Sequence, residues 1–85
     1  MHDGILYIRN YGTIKLRLKE YMDQQGLNRN QMSKMINVRF EVIDKWYHGE
    51  VERMDLDVLA RICFVLKCQP GDILEYQEDQ NQNDS

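Results

Sequence analysis

The stretch that most constrains the fold is residues 28–49, NRNQMSKMINVRFEVIDKWYHG, which has the pattern of two short helices joined by a sharp turn. Both halves carry apolar side chains at helical spacing: Met32, Met35 and Ile36, then Val42, Ile43, Trp46 and Tyr47. Asn28 precedes the first helix and has the short amide that caps helix N-termini. Asn37 and Gly49 tolerate left-handed backbone, which a chain needs to leave a helix sharply. The pattern predicts helix, turn, helix and stop.

Three more helices are predicted around this pair. The first runs from Thr13 to Gln25 and has the apolar stripe Ile14, Leu18, Tyr21 and Met22. The second begins after Asp55 and is so apolar that we expect it to be the central packing element, buried on more than one side. Its apolar residues are Leu56, Val58, Leu59, Ile62, Cys63, Phe64, Val65 and Leu66. The third is the short segment PGDILEY, in which Pro70 suits the first helical turn.

The chain ends differ in character from the middle. Ile5 to Ile8 is β-prone and forms either one short strand or an ordered arm. A strand there would need a partner, either the region 73–77 or the same strand in a second subunit. We therefore divide the chain into an N-terminal arm or strand (1–12), a helix-turn-helix domain (13–76) and an acidic, polar tail (77–85) predicted to be disordered.

Composition is that of one small domain rather than of a membrane or secreted protein. The 85 residues contain no run of 18 apolar residues and no signal-peptide pattern, so we expect a cytoplasmic protein with no membrane partner. The net charge is −3, but residues 1–50 hold eight Lys and Arg against six Asp and Glu, whereas residues 51–85 hold three against eight. The two cysteines, Cys63 and Cys68, are expected to be buried and reduced, because positions five apart on a straight helix point in different directions.

The sequence contains no recognisable combination of catalytic residues. His2 and His48 lie far apart, neither neighbours a nucleophile, and there is no Gly-rich phosphate loop. No clustered cysteines or histidines suggest zinc. We therefore expect a protein that is not an enzyme and needs no cofactor or metal.

The helical pair resembles the helix-turn-helix of the Xre-type regulators, the group that contains Cro and lambda repressor. The positions that carry the resemblance are Asn28, Arg29, Met32, Ser33, Asn37, Val38, Ile43, Trp46, His48 and Gly49. The segment 55–76 resembles the helical completion of the short, single-domain members. The resemblance implies an all-α, five-helix lambda-repressor-like domain, to which this chain adds a short N-terminal β-strand. It also implies binding of double-stranded DNA as a small transcriptional regulator.

In such folds the second helix of the pair enters the major groove and the first crosses the backbone. Carried over to this chain, the DNA-binding residues are Arg29, Arg39, Phe40, Glu41, Asp44, Lys45 and His48. Glu41 suits cytosine N4 and Phe40 suits a thymine methyl group. Four of these positions also have a purely structural explanation: Glu41 and Asp44 as acids near a helix N-terminus, Lys45 as a surface lysine, and Phe40 as a ring partly buried against the turn.

The acids of the second helix leave a second function open. Glu41 and Asp44 would bring negative charge toward a polyanion, so the alternative is a protein–protein interaction module that has kept the fold and lost DNA binding. In either case we expect a homodimer, formed through the N-terminal strand or the last helix. The chain contains no sensor domain, and we expect no small-molecule effector.

Overall fold

The computed structural model describes residues 11–79, which form five helices and a two-stranded antiparallel sheet. In chain order the elements are β1 (Thr13–Leu16), α1 (Leu18–Gln24), α2 (Arg29–Ile36), α3 (Phe40–Tyr47), α4 (Leu56–Leu66), α5 (Pro70–Ile73) and β2 (Leu74–Gln77). Within this range no helix combines the length and the apolar character that a membrane crossing needs. The predicted five-helix architecture is confirmed, and a short two-stranded sheet accompanies it.

The first strand lies where a helix was predicted. Thr13–Leu16 is extended and pairs with Leu74–Gln77, so α1 begins only at Leu18 and Thr13 caps nothing. The β-branched Thr13 and Ile14 suit a strand, and Ile14 is 63% exposed instead of packing with Leu18. The strand predicted at Ile5 to Ile8 lies outside the described residues. The region 73–77, which was one of the two partners considered for that strand, pairs instead with residues 13–16.

Pairing of β1 with β2 also shortens the final helix. α5 is a single turn that ends at Ile73, and the residues predicted to continue it form β2. Gln77, which the sequence placed in the tail, pairs with Thr13 as the last residue of that strand. The division into arm, domain and tail otherwise stays a prediction. Gly12 sits at the entrance to β1 with φ +89°, and a Cβ there would lie 2.2 Å from the Gln77 carbonyl oxygen.

One core joins all five helices. It consists of Leu18, Met22, Met32, Ile36, Ile43, Trp46, Val58, Leu59, Ile62, Leu66 and Ile73. α4 supplies four of these residues and is the central element, as predicted. It is nevertheless buried on one side only, because Leu56 and Phe64 are 74% and 83% exposed. The expectation that these two residues belong to the core was wrong.

The end of α4 brings its two cysteines together. Lys67 adopts left-handed backbone (φ 55°), and the Cys68 amide donates a 3.1 Å hydrogen bond to the Cys63 carbonyl oxygen. This is the bond pattern of a Schellman ending, in which the side chains of these two positions meet. Both cysteines are free and half-buried rather than buried, and they do not point apart as a straight helix would require.

Candidate nucleic-acid interface

The start of α2 is fixed by reciprocal capping. The Asn28 side chain accepts a hydrogen bond from the Gln31 amide, and the Gln31 side chain accepts one from the Asn28 amide, both at 2.8 Å. Two amides that the helix itself cannot satisfy are thereby paired. The predicted cap at Asn28 is confirmed. The reciprocal bond to the Gln31 side chain was not predicted.

The turn between α2 and α3 has the predicted left-handed residue. Asn37 has φ 56° and ψ 52°, and its amide donates to the Lys34 carbonyl oxygen. Ser33 contributes more than its small size, because its hydroxyl donates to the Val38 carbonyl oxygen while the Val38 amide donates to the Ser33 carbonyl oxygen. These bonds fix the direction in which α3 leaves the turn.

α3 is anchored on one side and open on the other. Ile43 and Trp46 are buried in the core, and Val42 and Tyr47 are half-buried beside them. The outward side carries the exposed residues Arg39, Phe40, Glu41, Lys45 and His48. The N-terminal edge of α3 is therefore accessible, on a helix that Ile43 and Trp46 anchor in the core.

Arg29 lies at the centre of a contact network instead of pointing freely away from α2. Its guanidinium donates to the Asp44 carboxylate and lies 5.4 Å from the centre of the Phe40 ring and 5.3 Å from that of Tyr47. Charge pairing and cation–π contacts of this kind hold the group in one orientation. Arg29 thus connects the start of α2 to α3, and it partly covers Phe40.

Asp44 is correspondingly not a free acid on the outer side of α3. Besides Arg29, it approaches His48, whose Nδ1 lies 3.3 Å from the Asp44 carboxylate and 2.9 Å from the Asp44 carbonyl oxygen. Glu41, by contrast, forms no ion pair within residues 11–79. The negative charge that α3 presents outward is therefore mainly that of Glu41.

Tyr47 ties α3 to α1 through a second network. Its hydroxyl donates to Asp23 at 2.9 Å, and Lys19 donates to the other carboxylate oxygen of Asp23 at 2.8 Å. The hydrogen bond from Lys19 and then that from Tyr47 lower the pKa of Asp23. Sequence patterns gave no sign of this contact, because its members lie 24 residues apart.

A groove beside the outer side of α3 adds one cation that the sequence analysis missed. It is lined by Val42, Lys45, Trp46, Glu50, Val51, Glu52 and Arg53. Arg53 belongs to the connection between α3 and α4, and it is exposed. No sequence pattern singles out Arg53, because its approach to α3 depends on the path of the chain after Gly49. Across residues 11–79 no cluster of three or more His, Cys, Asp or Glu side chains suits a metal ion.

Comparison with known proteins agrees with this geometry. Residues 17–79 match the Cro/C1-type HTH DNA-binding domain family. The chain is 26% identical over 68 residues to the uncharacterised HTH-type transcriptional regulator YozG of Bacillus subtilis (strain 168), and the match covers 80% of this chain and 81% of YozG.

Two solved structures have the same fold. A candidate DNA-binding protein from Bacteroides fragilis superposes with a TM-score of 0.66 at 14% identity, covering 74% of this chain and 100% of the other. The transcriptional regulator VanUg superposes with a TM-score of 0.62 at 20% identity, covering 82% and 95%. With the family match spanning the helices, the capped pair and the turn, this chain belongs to the Cro/C1-type helix-turn-helix DNA-binding domain family.

Proposed function

We propose that this protein is a transcriptional regulator that binds double-stranded DNA in a sequence-specific manner, with α3 in the major groove. The observation that carries the proposal is the exposed edge Arg39–Glu41 at the start of a helix whose opposite side is locked by Ile43 and Trp46. A helix can read base edges only if it protrudes and keeps one orientation, and this edge meets both requirements.

Three side chains at this edge are suited to reading bases. Arg39 can donate two hydrogen bonds to guanine O6 and N7, and Glu41 can accept one from cytosine N4. Phe40, which is 38% exposed, can contact a thymine methyl group with the part of its ring that Arg29 leaves uncovered. The proposal thus favours an operator half-site with G·C pairs at its most discriminated positions.

Phosphate contacts fall to side chains around this edge that can donate hydrogen bonds. Lys45 and Arg53 line the groove beside α3, and His48 lies at the far end of the same helix. Arg29, assigned to DNA from the sequence, has a second role, because its bond to Asp44 removes one negative charge from the approach of the phosphates. The ion pair thereby meets the electrostatic objection to DNA binding for Asp44, whereas the charge of Glu41 stays exposed.

The decisive experiment is selection of bound duplexes from a random pool, followed by titration of the selected site at several salt concentrations. Affinity should fall steeply as salt rises, because phosphate contacts release counterions. Arg39→Ala should cost about 1–3 kcal/mol of binding energy and relax the preference at one base pair. Lys15→Ala removes one positive charge from an exposed position in β1 and serves as the matched control.

The alternative function is motivated by Glu41, which is exposed and forms no ion pair within residues 11–79. Failure to bind any duplex at low salt would reject the DNA proposal and favour a protein–protein interaction module on the same fold. Glu41→Gln separates the two further. In a DNA-binding protein it should raise affinity for non-cognate duplexes while weakening discrimination at one position.

We also propose that the protein acts as a homodimer without a small-molecule effector. One domain of this size makes few base contacts, whereas two related by two-fold symmetry would contact half-sites about one helical turn apart. Sedimentation equilibrium tests the assembly independently of DNA. A monomer at all accessible concentrations would remove the homodimer and leave DNA binding untouched.

A further inference from the structure

The outer side of α4 carries a row of apolar side chains that the core does not use. Leu56, Ala60 and Phe64 recur every fourth residue on this side, while Val58, Leu59, Ile62 and Leu66 occupy the buried side. Leu56 is 74% exposed and Phe64 is 83% exposed. Single exposed apolar residues are ordinary, but a contiguous row of them marks an interaction surface.

A groove runs beside this row, between α4 and the end of α2. Met35, which is 57% exposed, and Phe64 stand on either side of it. Ile36, Asn37, Ala60, Arg61 and Val65 also line it. The Arg61 guanidinium is held at the edge of the groove by a 2.8 Å hydrogen bond to the Ile36 carbonyl oxygen. Because Ala60 has only a methyl group, the groove has room above it for a large side chain. Phe64 is such a side chain, and it stands on the same surface.

Charges on the same side of α4 are arranged with opposite signs at its two ends. Asp57 lies in the first turn and pairs with Arg61 at 2.9 Å, and Asp55 caps the helix immediately before it. Lys67 ends the helix, is exposed, and has no ion-pair partner within residues 11–79. A second α4 placed antiparallel would bring the acidic end of each helix to the basic end of the other. The two helix dipoles would also oppose each other favourably.

We propose that the partner on this surface is a second copy of the chain, related by a two-fold axis that crosses the two α4 helices antiparallel. Phe64 of each subunit enters the groove above Ala60 of the other, and Asp57 faces Lys67 of the other. The pairing is self-consistent because positions 60 and 64 are centred on the same point of the helix as positions 57 and 67. The inference deepens the homodimer part of the proposed function and rests on it.

The proposed interface on α4 is small, and we therefore expect the dimer to be weak. Stable interfaces bury about 800 Å² on each partner. A contact centred on one helix of 11 residues falls short of that area. We therefore expect a dissociation constant on the order of 10 µM in the absence of DNA. Binding to two adjacent half-sites would raise the effective concentration of one subunit at the other and strengthen the pairing.

The first test replaces Phe64 with Glu in the full chain and measures mass by sedimentation equilibrium from about 1 to 300 µM, a range chosen to span the expected dissociation constant. Phe64→Glu should weaken dimerisation at least about 10-fold, because it removes the ring that fills the groove above Ala60 and leaves a carboxylate to be desolvated there. Ile14→Glu is the matched control, since Ile14 is 63% exposed on the sheet. Thermal unfolding of both variants at low concentration should remain near that of the unsubstituted protein.

The second test exchanges the charges. Asp57→Lys and Lys67→Asp should each weaken self-association, because every contact between positions 57 and 67 then joins like charges. An equimolar mixture of the two variants should recover dimers, since the mixed pair restores both attractive contacts. Circular dichroism of each variant alone checks that the monomer is folded.

Two results would overturn this assignment. If the unsubstituted protein forms dimers that Phe64→Glu leaves intact, the interface lies elsewhere, and loss of dimers in Ile14→Glu would place it on the sheet. If the unsubstituted protein stays monomeric up to 300 µM, the homodimer itself fails, whereas the DNA titration remains a separate measurement.

Discussion

Arg29 at the start of α2 and Asp44 in the middle of α3 form an ion pair that joins the two helices of the helix-turn-helix directly. The pair lies under the edge proposed to read DNA, and Phe40 and Tyr47 lie against the same guanidinium. The angle between the two helices thus depends on a polar contact as well as on the core.

Replacing Arg29 with Ala should lower the free energy of unfolding by about 1 kcal/mol. Both partners are more than one third exposed, so solvent screening limits the ion pair itself, and lost contact with two rings supplies the rest. Arg29→Lys keeps the charge but loses the planar contact with the rings. Its free energy of unfolding should lie between that of the Ala variant and that of the original protein. Urea denaturation measures all three proteins. Equal stability of the Ala variant and the original protein would show that the network is not energetically coupled.

Two apolar positions two residues apart on α4 should differ strongly in how much stability their truncation costs. Ile62→Ala removes fully buried atoms and should cost about 2–5 kcal/mol, which is a large share of the stability of a domain this small. Phe64→Ala removes a ring that is 83% exposed and should change the stability of the monomer by less than about 0.5 kcal/mol. Urea denaturation at low protein concentration compares them. A large loss in Phe64→Ala under those conditions would contradict the exposed position of the ring.

Gly12 and Gly26 provide a matched pair for the role of the sheet. Both have positive φ, so an alanine is strained at either position, by about 1 kcal/mol. At Gly12 the new methyl group would also lie 2.2 Å from the Gln77 carbonyl oxygen, whereas at Gly26 nothing lies within 4 Å. Gly12→Ala should therefore destabilise β1–β2 pairing beyond the loss seen in Gly26→Ala. Hydrogen exchange of the amides of β1 and β2 is the direct measurement, and equal protection in the two variants would refute it.

Alkylation of Cys68 should require unusually high pH. Burial, followed by the neighbouring Cys63, raises the pKa of Cys68 from 9.0 to about 11. The thiolate is the reactive form, so the rate of reaction with iodoacetamide in a Cys63→Ser variant should still be rising above pH 9. A midpoint near 9.0, the unshifted value, would contradict the burial of this group.

The same shift has a consequence for folding. Because the pKa of Cys68 is raised in the folded state, its contribution to stability is fully present below about pH 9 and is lost as pH rises through about 11. Denaturation of the Cys68→Ser variant, in parallel with the original protein, separates this contribution from that of other groups that titrate at alkaline pH.

Local features of the helix-turn-helix were predictable because their causes lie within a few residues. The cap at Asn28, the left-handed Asn37 and the buried positions Ile43 and Trp46 all follow from side-chain type and spacing. Each depends on backbone geometry that one turn of helix defines.

Other features depend on partners far along the chain, and sequence patterns misjudged them. Ile14 and Leu18 have helical spacing, but residues 13–16 pair with 74–77, which no local signal announces. Leu56 and Phe64 are as apolar as their buried neighbours, and only the packing of α4 decides which side faces the core. Lys67 has no chemical preference for left-handed backbone, so the approach of Cys68 to Cys63 was not foreseen.

The pairing of Thr13 with Gln77 places the incoming and outgoing ends of the domain next to each other. A domain whose two ends are adjacent can be inserted into a loop of another protein without separating the two sides of that loop. Joining these two ends by a short turn, and opening the chain in the connection between α3 and α4, would give a circularly permuted form with the same core. The new termini of such a permutant would lie beside Arg53. A protein fused to either terminus would therefore lie next to the groove along α3.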